Sequence, residues 1–275
     1  MLSISPLGAH HARRRTLLQL SAAALLCHSS GAAWAQSTPV TSLQMHRAAR
    51  FRALSQRIAK AYCQAFLNVQ PEDAAMAMAS SRQLLRAGLQ ELGKQPWPDA
   101  LARPLAQVRQ FSEGLDTALP MPPTRQSVAD AAVQADKMLQ SADAVADGLQ
   151  KIAPFSTDKL VSTAGQQRML SQRLAKNYFL AAAGLESKDL REQRTADAAE
   201  FKRGLASLAA STVSNTTIRS EMTAGEMQWM FLEAALAREP DLRGLRAVAS
   251  TSERLLGIMD NLALQYEVAL KDLRS

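Results

Sequence analysis

The side chains best suited to chemistry in this 275-residue chain sit in a short segment that is written twice. Arg52-Ala53-Leu54-Ser55-Gln56-Arg57-Ile58-Ala59-Lys60-Ala61-Tyr62 aligns with Arg168-Met169-Leu170-Ser171-Gln172-Arg173-Leu174-Ala175-Lys176-Asn177-Tyr178, identical at eight of eleven positions with an offset of 116. The arginines stay charged at any relevant pH and present a planar fork of donors, and the glutamines add amide groups. Ser55 and Ser171 have no histidine nearby to activate them, so they are expected to bond their own helix backbone. Tyr62 and Tyr178 are expected in the core with bonded hydroxyls.

The rest of the inventory argues for binding over catalysis. Of two cysteines and four histidines, Cys27, His10, His11 and His28 fall in the first 35 residues, which leaves Cys63 and His46. One Cys and one His fall short of a zinc or haem pattern and of an internal disulfide, so no metal and no cofactor is expected. Cys63 is read as a small buried hydrophobe and His46 as a surface residue near a helix start. A phosphate loop, a Gly-x-Ser-x-Gly elbow and a dinucleotide fingerprint are all missing, so the chain is not expected to be an enzyme.

Residues 1–35 read as a cleavable export signal. Arg13-Arg14-Arg15 precedes an apolar run from Leu17 to Cys27, and Ala33-Trp34-Ala35 supplies a small-x-small cleavage pattern. Arg14-Arg15-Thr16-Leu17-Leu18 also resembles a twin-arginine signal. The run is shorter than the roughly 20 residues that span a bilayer, so the mature protein is expected to be soluble and periplasmic. Losing three arginines lowers the basic excess from +7 to +4, a mild value that, with export, argues against nucleic acid as a partner.

The elements that must position the repeated residues are helices. Apolar residues recur at helical spacing between proline breaks, predicting helices over 41–69, 72–93, 98–118, 124–153, 156–184, 187–212, 216–238 and 241–273. In the last of these, Leu255, Leu256, Met259, Leu262, Leu264, Tyr266 and Val268 are expected on the core side, with Glu253, Arg254, Asp260 and Gln265 facing water. No run alternates with period two for long, so the fold class is all-α. The 116-residue offset also pairs Gly88-Leu89 with Gly204-Leu205, and an offset of 117 pairs Pro123 with Pro240. The expected architecture is two tandem antiparallel four-helix bundle modules related by an internal repeat, over 36–154 and 155–275.

On the repeated helices, Met45, Ala49, Arg52, Gln56, Ala59 and Cys63 form one stripe, and Val161, Gly165, Arg168, Gln172, Ala175 and Phe179 form its counterpart. Small residues there let another helix approach closely, whereas the Arg and Gln are costly to bury without partners. Leu54, Ile58, Leu170 and Leu174 are expected to feed the core. Arg57, Lys60, Arg173 and Lys176 are expected to face solvent.

The segment Ala164-Gly165-Gln166-Gln167-Arg168-Met169-Leu170-Ser171-Gln172-Arg173 resembles the signature of the type IV pilus methyl-accepting chemotaxis transducer N-terminal domain family (PilJ-like). It is also similar to the ligand-binding segment of nitrate/nitrite sensor kinases (NarX-like). Those domains are extracytoplasmic four-helix bundles, and in the nitrate sensors an Arg at the place of Arg168, one from each subunit, clamps one anion at a two-fold interface. The first copy departs from the signature, with Ala49 for Gly and Ala53 for Met.

The resemblance implies that Arg52 and Arg168 face each other across a pseudo-two-fold interface within one chain and hold a small oxyanion, nitrate or nitrite by analogy. Gln56 and Gln172, one turn on, are expected to add amide donors. With no signalling region after Ser275, the chain is expected to act as a soluble sensor-like binding protein that presents its ligand to a membrane receptor or transporter. The competing expectation is an adaptor that docks a receptor or pilus-associated partner without a small ligand.

Overall fold

The computed structural model describes residues 40–119, 121–153 and 159–273; the expected export signal and its cleavage point lie outside them. Eight helices run through the described residues, and no strand occurs among them. They are α1 (Ser42–Phe66), α2 (Pro71–Leu92), α3 (Asp99–Ala118), α4 (Arg125–Ile152), α5 (Lys159–Ala182), α6 (Lys188–Ala209), α7 (Thr216–Leu236) and α8 (Leu242–Asp272). The chain is all-α, and each helix lies within a few residues of its predicted span. None is long and apolar enough to cross a membrane.

Local chemistry sets the helix boundaries. Thr41 caps α1 by accepting from the Gln44 backbone N–H at 3.2 Å while the Gln44 side chain accepts from Thr41 N–H at 3.0 Å, which satisfies two otherwise orphaned donors. Thr124 and Ser127 form the same reciprocal box on α4. Ser187, Asn215 and Asp241 cap α6, α7 and α8. Helix α1 ends three residues before the predicted 69, because Asn68 and Gln70 take left-handed φ values of 52° and 46°. Pro71 then opens α2 at the position where its missing N–H costs nothing.

Helix α1 packs on α2 and α4, α3 packs on α4, and α2 and α3 touch only lightly. The same relations recur among α5, α6, α7 and α8, and α1 packs along α5. Helices α1 and α5 are therefore the central elements, each covered by three neighbours. Phe51, Leu54, Ile58 and Tyr62 of α1, and Leu170, Leu174, Tyr178 and Phe179 of α5, are all nearly or fully buried. Each such side chain contributes about 1.5–3 kcal/mol by leaving water. Phe201 of α6 stacks on Trp229 of α7 with ring centroids 4.4 Å apart.

Several residues keep their expected places. Cys63 is fully buried. Ser55 and Ser171 each donate to the carbonyl three residues back, Arg52 O and Arg168 O, at 2.8 Å. The Tyr62 hydroxyl meets Ser127 Oγ at 2.7 Å, and that of Tyr178 donates to the Arg238 and Glu239 carbonyls.

Others are displaced from expectation. Leu264 and Val268 of α8 are exposed, because the core stripe follows Leu255, Met259, Leu262 and Tyr266 at strict 4-3-4 spacing and leaves them to one side. His46 is not a free surface residue: its ring pairs with the Glu267 carboxylate of α8. Lys60 and Lys176 do not face solvent at all, with side chains 1% and 0% exposed.

Candidate functional site

The two stripe arginines come together where α1 passes α5. A Cβ built on Gly165 would lie 3.3 Å from Arg168 Nη2 and 3.6 Å from Arg52 Nη2. The two nitrogens are therefore at most about 7 Å apart, the sum of those distances. Gly165 leaves room for this approach: a methyl group there would already touch both guanidinium groups, and a longer side chain would have to displace them. Its counterpart on α1 is Ala49.

Each arginine has a carboxylate partner, from α4 for Arg52 and from α8 for Arg168. Arg52 Nη1 lies 3.5 Å from Asp143 Oδ1 on α4, and Arg168 Nη1 pairs with Asp260 on α8. Asp143 and Asp260 are 117 residues apart, the same offset that relates Pro123 to Pro240. These two acids were missed as site residues, although that offset was a signal for them in the sequence. Burial raises the Asp143 carboxyl above its ordinary range, and Arg52 only partly opposes this. Burial acts the same way on Asp260, but Arg168 and Arg50 override it and hold that carboxyl low.

The arginines are not satisfied in full. Arg52 Nε and Arg168 Nε are buried with no hydrogen-bond partner among the described residues. An unmade hydrogen bond at a buried donor costs about 1–3 kcal/mol, so an acceptor arriving here would be favoured.

Gln56 and Gln172 are fully buried one turn on, but their amide donors do not serve the arginine pair. The Gln56 amide donates to Ala135 O at 3.2 Å and the Gln172 amide to Ser252 O at 2.8 Å. In both, Oε1 has no partner among the described residues. A free carbonyl oxygen repels an anion, so the expectation that these side chains add donors is corrected: Gln56 ties α1 to α4 and Gln172 ties α5 to α8.

The buried lysines join α1 to α8 and α5 to α4. Lys60 of α1 pairs with Glu253 of α8 and donates to Ser252 Oγ at 3.2 Å. Lys176 of α5 reaches Asp136 of α4 at 2.5 Å. Glu253 and Asp136 are again 117 apart, so the two bridges are reciprocal. Arg57 clamps Glu253 through Nε and Nη2 and also donates to Ser80 and Ser81 at 2.9 and 3.1 Å. Burial alone would raise the Glu253 carboxyl, but Lys60 and Arg57 bring it down to about 2. Arg173 makes a two-pronged contact with Asp197, at 2.8 and 2.6 Å.

The two sides of the arginine pair differ. On the side of Arg168, Arg50 binds Asp260 and His46 binds Glu267, which closes the seam between α1 and α8 and leaves Arg168 2% exposed. The corresponding positions on the other side are Gln166, Asp143, Ser162 and Gln150. Gln166 turns instead to Glu200 at 3.2 Å. That side is open: a cleft of about 310 Å³ lies between α4 and α5, with Arg52, itself 15% exposed, in its wall. No group of acidic, His or Cys side chains among the described residues suits a metal ion.

Residues 156–250 match the family described as type IV pili methyl-accepting chemotaxis transducer N-term, PilJ. The match covers α5 to α7 and the start of α8, and so includes Arg168 and Gln172 but not Arg52. That family is a transducer domain, not an enzyme family. Comparison with curated proteins and with solved structures found no match.

Proposed function

We propose that this protein is a periplasmic, sensor-like binding protein in which Arg52 and Arg168 hold a small oxyanion such as nitrate or nitrite. The observation that carries this reading is the convergence of the two guanidinium groups on Gly165. Two cations about 7 Å apart or less repel, and an oxyanion between them replaces repulsion with charge-assisted hydrogen bonds. The unpaired Nε donors add to the demand for an acceptor.

In this reading the chain is a duplicated four-helix module, 36–154 and 155–275, preceded by an export signal. The recurrence of helix pairings, the matched glutamine–carbonyl bonds and the reciprocal Lys60–Glu253 and Lys176–Asp136 bridges support a pseudo-two-fold relation. The duplicated pair of modules then does within one chain what two subunits do in NarX-like sensors. Ligand occupancy tightens the α1–α5 seam, and a membrane receptor or transporter reads the outcome.

Calorimetric titration of the chain from residue 36 with nitrate, nitrite, chloride and sulfate tests this. Binding of at least one planar oxyanion is expected, with loss in Arg52→Ala and Arg168→Ala and partial retention in Arg168→Lys, which keeps the charge but not the fork. Absence of heat with every anion refutes it. A second reading, an adaptor without a small ligand, draws on Met227, Met230 and Phe231, which expose an apolar i, i+3, i+4 face on α7. In that case Met230→Lys abolishes a partner interaction while anions have no effect.

A further inference from the structure

The cleft beside Arg52, lined by neither Arg168 nor Gly165, is larger and chemically richer than a four-atom anion requires. The cleft of about 310 Å³ has the volume of about ten waters and reaches the lower range of pockets that hold small organic ligands. Its wall carries both signs of charge: Arg52 of α1 and Lys159 of α5 are cationic, and Asp147 of α4 is anionic. Ser162, Thr163 and Gln150 supply hydroxyl and amide groups around them. The equivalent seam beyond Arg168 carries the His46–Glu267 and Arg50–Asp260 pairs, and Arg168 itself is 2% exposed, so of the two arginines it is Arg52 that meets this cleft.

We propose that this cleft binds a small zwitterionic carboxylate, of the α-amino acid class, with its carboxylate on Arg52 and Lys159 and its ammonium on Asp147. The proposal rests on the reading of Arg52 as an anion-binding residue and extends it to an organic ligand held on the cleft side of Arg52, without Arg168. Arg52 donates a two-pronged pair of hydrogen bonds to the carboxylate, and Lys159 adds a point charge. Asp147 accepts from the ammonium, and this contact distinguishes an amino acid from a simple organic acid. The remaining hydroxyls and the Gln150 amide select among side chains.

The test is a calorimetric panel on the chain from residue 36: the common α-amino acids, the corresponding acids lacking the amine, and nitrate and nitrite. At least one amino acid is expected to bind, about tenfold or more tighter than its amine-free analogue. Asp147→Asn is expected to abolish that preference, and Lys159→Gln to weaken the amino acid and its analogue alike; both positions are exposed, so the variants fold. Equal binding of amino acid and analogue, or an unchanged preference in Asp147→Asn, overturns the proposal. Binding of nitrate or nitrite with no amino acid bound overturns it while leaving the arginine-pair reading intact. No binding of any of these overturns both.

Discussion

Replacing Glu253 by Gln removes the carboxylate shared by Lys60 and Arg57 while keeping its shape. Lys60 is 1% exposed, so its ammonium would be left in the protein interior with only Ser252 as a partner. The Glu253 carboxyl is held at about 2 against an ordinary 4.5. At about 1.36 kcal/mol per pK unit, that difference bounds the contribution at about 3.4 kcal/mol. Because a third of the Glu253 side chain meets solvent, screening reduces this to about 2–3 kcal/mol. For a chain of this size the melting temperature should fall by about 5–10 °C. A carboxyl with a depressed folded pKa stabilises above its unfolded pKa and loses that effect as pH falls through the folded value. The deficit of Glu253→Gln is therefore full at pH 7 and shrinks steadily as pH drops from about 4.5 towards about 2. Adding Lys60→Met should restore most of the stability, since an apolar side chain of similar length replaces the stranded charge. Calorimetric melting of the three proteins across pH checks this. A loss below about 2 °C at pH 7, or one that does not shrink in acid, would refute the reasoning.

Gly165→Ala would place a methyl group 3.3 Å from Arg168 Nη2; melting should change by no more than about 1 kcal/mol, since helix propensity offsets crowding, while oxyanion affinity falls about tenfold or more by titration. Trp229→Phe keeps the stack on Phe201 and removes a buried indole N–H that has no partner among the described residues, so stability should hold or rise by up to about 1 kcal/mol in thermal melts. Cys63, fully buried with its thiol pushed up to about 12, should resist alkylation at pH 8 and react at the rate of global opening, which mass spectrometry reads directly.

Much of this was legible in the residues. Proline breaks and the helical spacing of apolar residues delimit helices whose positions the structure reproduces closely. The repeat pointed to Arg52 and Arg168, and the structure brings them together. The burial of Lys60 and Lys176 was not legible, because an amphipathic reading assumes one dry face, whereas α1 and α5 are enclosed by three helices each. The asymmetry around the arginines was hidden for another reason. It depends on His46 and Arg50 standing where the second copy has Ser162 and Gln166, positions just outside the shared segments 52–62 and 168–178. The role of the glutamines was misread because a stripe shows which residues share a face, not which carbonyl claims their amides.

The most direct test of the arginine-pair site is a crystal structure of the chain from residue 36 grown with nitrate. A planar anion is expected there, with oxygens within about 3 Å of guanidinium nitrogens from both Arg52 and Arg168. An empty space between the two, with each arginine still on its own carboxylate at saturating nitrate, would contradict it.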